Sequence, residues 1–316
     1  MTEYICNDCP RRCGVVRSQY YTPHAPMAGY CHTSLQPVVA RAALHFWEEP
    51  CISGTRGSGT VFFTSCNLRC CFCQNASIST GGTGIPITVE RLQEIYQELI
   101  EQGAHNINLV TPTPYTLAIR KSLERPLPVP VVYNCGGYES LETIDALKGK
   151  IQIYLPDLKY MSADLAKRYS GAADYPQVAA EAILRMYEQV GPYELDNDGM
   201  LKKGVVIRHL ILPNCLDNTK TVIDWVREHF DEGQILFSLM RQYVPYGNAS
   251  AYPEINRPLT DDEYDEAEQY LFDSGIEDGF VQEKASASEQ FIPSFCGEGV
   301  LKSKALSPAA QHALDT

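Results

Sequence analysis

From about residue 60 onward, short apolar runs alternate with amphipathic stretches, and the alternation repeats six times. The apolar runs are Val61–Thr64, Ile107–Thr111, Val129–Tyr133, Ile151–Leu155, Val205–Leu212 and Ile235–Leu239. Each is short, rich in β-branched or aromatic residues and bounded by turn formers, which reads as a buried strand. Between them, Thr88–Gln102 carries Val89, Leu92, Ile95, Leu99 and Ile100 on one stripe and stops at Gly103, so it reads as a helix. Tyr115–Leu123, Ser140–Leu147, Ser162–Tyr169, Asp174–Val190, Thr219–Phe230 and Thr260–Phe272 are read as helices as well. Strands that alternate with helices pair in parallel through right-handed crossovers. Six units are too few to close as eight do. The expected fold is α/β: a partial (β/α)6 TIM-like barrel, open on one side, over residues 56–280. A cysteine-rich segment (residues 1–55) precedes it, and a loop-rich tail (residues 281–316) follows.

Parallel barrels gather their chemistry at the C-terminal ends of the strands. Five strand ends here carry polar or glycine-rich groups. They are Thr111 to Tyr115, Tyr133 to Tyr138 with Asn134, Asp157 to Lys159, Arg208 with His209, and Met240 to Tyr243. Asp157 and Lys159 alternate, so both point to one side; they form either part of a binding site or an ion pair bracing the barrel. Arg208 and His209 face opposite ways, and Arg208, planar and permanently charged, suits a carboxylate in the cavity.

The strongest chemical signal follows the first strand, where FFTSCNLRCCFCQN places Cys66, Cys70 and Cys73 in a C-x3-C-x2-C run. Three thiolates can hold three irons of a 4Fe-4S cubane and leave the fourth open to a small molecule, whereas electron-transfer clusters take four cysteines. A zinc ribbon needs a second C-x2-C pair, or histidines, that the flanks do not offer in the usual register. Cys71 breaks the spacing and reads as a packed bystander.

Cys6, Cys9, Cys13 and Cys31 form a second, complete four-thiolate set that would suit zinc or an auxiliary iron–sulfur cluster. Twelve cysteines without an apolar leader point to metal binding in a reducing cytoplasm. No run of eighteen apolar residues suggests a membrane span. A net charge of −13 argues against nucleic acid, whose phosphates it would repel.

These segments together resemble the radical S-adenosylmethionine superfamily, in its pyruvate formate-lyase-activating-enzyme-like branch. The resemblance rests on CPRRCG (Cys9–Gly14), HFWEEP (His45–Pro50), GSGTVFFTSCNLRCCFCQN (Gly57–Asn75) and NINLVTPTPY (Asn106–Tyr115). It continues in VVYNCGGY (Val131–Tyr138), IYLPDLKY (Ile153–Tyr160), IRHLILPN (Ile207–Asn214) and LMRQYVP (Leu239–Pro245). It implies that Cys66, Cys70 and Cys73 ligate the cluster and that Phe72 lies near the adenine of S-adenosylmethionine. Thr111, Asn134, Asp157, Lys159 and Arg208 are the candidates for holding its amino-acid moiety. The Gly-Gly-Glu of the glycyl radical activators is replaced here by Thr111-Pro112-Thr113. The implied activity is reductive cleavage of S-adenosylmethionine to a 5′-deoxyadenosyl radical that abstracts hydrogen. The electron would come from a donor such as flavodoxin or ferredoxin. The target would be a glycyl radical enzyme or, alternatively, a small molecule or peptide; a non-catalytic iron–sulfur or zinc protein is the remaining class.

Overall fold

The computed structural model describes residues 4–22, 28–282 and 293–302. Six parallel strands form its centre: β1 (Ser58–Phe63), β2 (Ile107–Val110), β3 (Val131–Cys135), β4 (Ile153–Pro156), β5 (Leu201–Leu210) and β6 (Leu236–Met240). They lie side by side in chain order, the arrangement of a partial (β/α)6 barrel. All six match sequence-predicted runs. Their residues are almost wholly buried because helices cover the outer face and packed side chains fill the inner one.

The helices start where the sequence carries caps. Thr88 accepts the amide of Arg91 ahead of Val89–Glu101, Ser140 that of Thr143 ahead of Leu141–Ala146, and Ser162 that of Leu165 ahead of Ala163–Ser170. Thr260 and Glu263 close a capping box ahead of Asp261–Ser274. Tyr175–Val190 packs its Ala179, Ala182, Ile183 and Met186 inward.

The structure departs from expectation at both margins. Val38–His45 was not predicted as a strand, yet it pairs antiparallel with β1 from Val39–Phe63 to His45–Ser58. The core sheet therefore begins at residue 38, inside the segment expected to end at 55. At the other end Gly279–Val281 adds a parallel strand beside β6. The described part of the tail is pinned: Gly297 N donates to Ala40 O at 3.0 Å, and Ala42 N to Glu298 O at 2.8 Å. Residues 283–292 and 303–316 of the expected tail lie outside the described residues. Among the described residues, no helix is long and apolar enough to cross a membrane.

Candidate active site

The C-terminal ends of the strands surround a cavity of about 230 Å³ that opens to the surface. Cys66, Cys70 and Cys73 line it, and Cys71 does not. The loop that carries them leaves β1 through two left-handed residues, Ser65 (φ 69°) and Arg69 (φ 58°). Each lining sulfur accepts a hydrogen bond: Leu68 N reaches Cys66 Sγ at 3.3 Å, Ser170 Oγ reaches Cys70 Sγ at 3.0 Å and Ser79 Oγ reaches Cys73 Sγ at 3.5 Å. Cys71 instead uses its backbone, its N–H on Tyr169 O at 2.8 Å and its carbonyl accepting from Asn248 N at 2.7 Å. Burial, then the neighbouring Cys70, pushes the Cys66 thiol up to about 12, and burial raises Cys73 as well. Such thiols become thiolates only against compensating positive charge, which iron supplies.

The other sequence candidates, Phe72, Thr111, Asn134, Asp157, Lys159 and Arg208, all line the same cavity. Phe72 is 5% exposed and meets Tyr243 edge-on at 5.9 Å. Thr111 sits at φ 58°, a strained conformation for a β-branched residue, held by its N–H on Asn134 O at 2.9 Å.

Asp157, Lys159 and Arg208 form a connected set. Lys159 Nζ lies 2.6 Å from Asp157 Oδ2, and Arg208 Nε donates to Asp157 Oδ1 at 2.9 Å. Burial alone would raise the Asp157 carboxyl, but Arg208 and Lys159 outweigh it and hold the group below its ordinary value. Burial opposes the Lys159 charge, and Asp157 and Cys70 more than restore it, so the ammonium titrates above its usual range. His209 points away as expected: its ring bonds Leu158 O at 2.7 Å and Thr219 Oγ1 at 2.9 Å, and burial lowers it to about 4.

Glu48 is a cavity-lining residue that sequence reasoning left out. It follows Val38–His45 and enters the cavity wall from outside the six units. Arg208 Nη1 donates to its Oε2 at 3.0 Å, while Asn134 and Asn108 amides donate to its Oε1 at 3.2 and 3.3 Å. Burial raises its pKa, against the pull of Arg208. Its segment, HFWEEP, was visible, but only the antiparallel pairing of Val38–His45 brings it to the strand ends.

Cys6, Cys9, Cys13 and Cys31 line a second, smaller cavity with Arg11, Arg12 and Arg17. Among the described residues, no three His, Cys, Asp or Glu side chains close on one point as a single ion demands.

Residues 60–196 match the family described as the radical SAM superfamily. An uncharacterised protein of Methanocaldococcus jannaschii is 29% identical over 273 residues, covering 83% of this chain and 72% of its own. Among solved structures, Streptococcus suis SuiB bound to S-adenosylmethionine aligns over 70% of this chain and 48% of its own, at 13% identity and a TM-score of 0.48. A pyruvate-formate lyase-activating enzyme domain from Bacteroides vulgatus aligns over 62% of this chain and 91% of its own, at 17% identity and a TM-score of 0.34. This chain thus spans about half the length of the SuiB chain it matches. The family match to the radical SAM superfamily runs through the cysteine run and the first four strand ends that line the cavity.

Proposed function

We propose that this enzyme generates a 5′-deoxyadenosyl radical and uses it to abstract hydrogen from a polypeptide, the activation of a glycyl radical enzyme being the reading the sequence segments favour. The observation that carries it is the convergence of Cys66, Cys70 and Cys73, without Cys71, on one cavity that Glu48, Asn134, Asp157, Lys159 and Arg208 also line. The superfamily implies a 4Fe-4S cluster and S-adenosylmethionine. The residues present fit both, since three hydrogen-bonded sulfurs leave one iron without a protein ligand and the polar wall carries both signs of charge. When bound, the pair supplies reductive cleavage of the sulfonium and a carbon-centred radical.

The chain's own residues do the rest. Arg208 is fixed by Glu48, Asn134 and Asp157, so its guanidinium can meet a carboxylate without reorganising. Asp157 and Glu48 offer oxygens to an ammonium, the service that Gly-Gly-Glu gives in the activators. Lys159 places positive charge beside Cys70 and Cys73 and favours the thiolate form of Cys73. Phe72, held against Tyr243, presents an apolar surface suited to a purine.

A polypeptide substrate is favoured because the cavity, as the described residues form it, opens to the surface. Among the described residues, none before His45 lines it. Trp47, on the lining, is 63% exposed. The test is anaerobic reconstitution with a low-potential donor (a flavodoxin or ferredoxin) and deuterated candidate substrates. Deuterium should appear in 5′-deoxyadenosine with a glycyl radical enzyme or peptide present. Transfer from small molecules alone would overturn the polypeptide reading, and failure to cleave S-adenosylmethionine would overturn the enzyme reading.

A further inference from the structure

We propose that Cys6, Cys9, Cys13 and Cys31 hold a second, fully ligated iron–sulfur cluster, and that this cluster braces the loop carrying Cys66, Cys70 and Cys73. The strands Ile5–Cys6 and Val15–Val16 pair antiparallel and fold the first three cysteines back on themselves. Tight turns aim the sulfurs: Arg12 (φ 39°) precedes Cys13 and His32 (φ 51°) follows Cys31, both in the left-handed region. Backbone held there persists only where its surroundings impose it.

The four cysteines line one cavity, as thiolates shared out over the corners of a cubane would. A single tetrahedral zinc, with bonds of about 2.3 Å, would instead gather them on one point. The charge is appropriate too. Arg17, whose side chain is 2% exposed, reaches Cys6 Sγ at 3.9 Å and keeps a buried Nε with no hydrogen-bond partner among the described residues. Arg11 and Arg12 line the same cavity, and so does Asp8, which lies 3.6 Å from Arg17.

The two cysteine sets share one scaffold. Tyr30 N donates to Cys13 Sγ at 3.3 Å, and the Tyr30 hydroxyl donates to Leu68 O at 3.2 Å. Leu68 N in turn donates to Cys66 Sγ. Arg11 stacks on Tyr30 at 4.0 Å, donates to Asn67 O at 2.9 Å and to Ser170 O at 3.0 Å, and the Ser170 hydroxyl reaches Cys70 Sγ. Asn67 lines both cavities. The bracing role rests on the catalytic reading above, but the site itself does not.

The experiment reconstitutes the full-length Cys66→Ala/Cys70→Ala/Cys73→Ala variant anaerobically with iron, sulfide and zinc. It should retain about four irons and four sulfides per chain. After dithionite reduction its electron paramagnetic resonance signal should not respond to S-adenosylmethionine, because no iron is open. One zinc per chain, or a folded chain without metal, overturns the site. If that variant does not fold, the native chain decides: about eight irons support the site and about four overturn it. For the brace, a Cys9→Ala/Cys13→Ala variant should keep its S-adenosylmethionine-responsive signal but lose that iron to a chelator several-fold faster. An unchanged rate overturns the brace and leaves the site standing.

Discussion

Arg208 shows how a single residue organises the candidate site. Its guanidinium touches Asp157, Glu48 and Asn134, side chains from three different segments, and each contact is between 2.7 and 3.0 Å. Removing one partner leaves charge buried without compensation, which is costly. Asp157→Ala should therefore weaken S-adenosylmethionine binding by tenfold or more, while iron content stays native. Glu48→Gln keeps shape and hydrogen bonding to the amides but removes charge, so its loss should be smaller, on the order of threefold. Equilibrium binding with iron analysis checks both; iron loss in Asp157→Ala would make it a structural residue instead. Among the cysteines, Cys66→Ala, Cys70→Ala and Cys73→Ala should each abolish cleavage of S-adenosylmethionine, and Cys71→Ala should not, because its sulfur does not line the cavity. Cleavage assayed by 5′-deoxyadenosine release distinguishes them. Most of these side chains were legible in the sequence because strand ends expose alternate residues to one face, which separated Arg208 from His209. Glu48 was not legible, because its place depends on long-range pairing that no local period encodes.

At the scale of elements, the six central strands were readable because burial on both faces makes them unbroken apolar runs. Val38–His45 was not. Its sequence, VVARAALH, mixes β-branched residues with alanine, leucine and arginine, which favour helix. Pairing with β1 on one side and Ile85–Pro86 on the other overrides that preference. The junction between β3 and β4 illustrates how closely the elements approach. Gly137 has φ +78°, and a Cβ added there would lie 2.3 Å from Asp157 O and 3.0 Å from Tyr175 Oη. Tyr175, from the helix Tyr175–Val190, lies 2.9 Å from Gly136 O and 2.7 Å from Asp157 O, and accepts the Lys159 amide at 2.9 Å. Gly137→Ala should therefore push the Asp157 backbone out of register. We expect a stability loss on the order of 2 kcal/mol, together with weakened cofactor binding. Denaturant midpoints and a binding isotherm measure the two; a variant that loses neither would show that this junction can relax.

At the scale of the whole molecule, one buried carboxyl ties stability to pH. Glu139 is 1% exposed, accepts the Thr113 hydroxyl at 2.6 Å and that of Tyr133 at 3.2 Å, and lies behind the cavity-lining Thr113 and Cys135. Burial raises it to about 7, more than its hydrogen bonds can offset. The sign follows from linkage. A group that binds its proton more tightly folded than unfolded favours the native state most below its unfolded pKa. That contribution shrinks as pH rises from the ordinary glutamate range toward 7, and is gone above it. The shift corresponds to about 3 kcal/mol over that window. Glu139→Gln fixes the neutral form, so the variant should gain on the native chain as pH rises, by up to that amount between pH 5 and pH 7.5, with the two nearly equal at pH 5. Chemical denaturation at both pH values, on protein lacking cluster and cofactor, isolates the effect from metal binding. A difference that does not change with pH would mean Glu139 is ionised in the folded chain, and its interior would then have to supply a positive partner that its present neighbours, all hydroxyls and a thiol, do not provide.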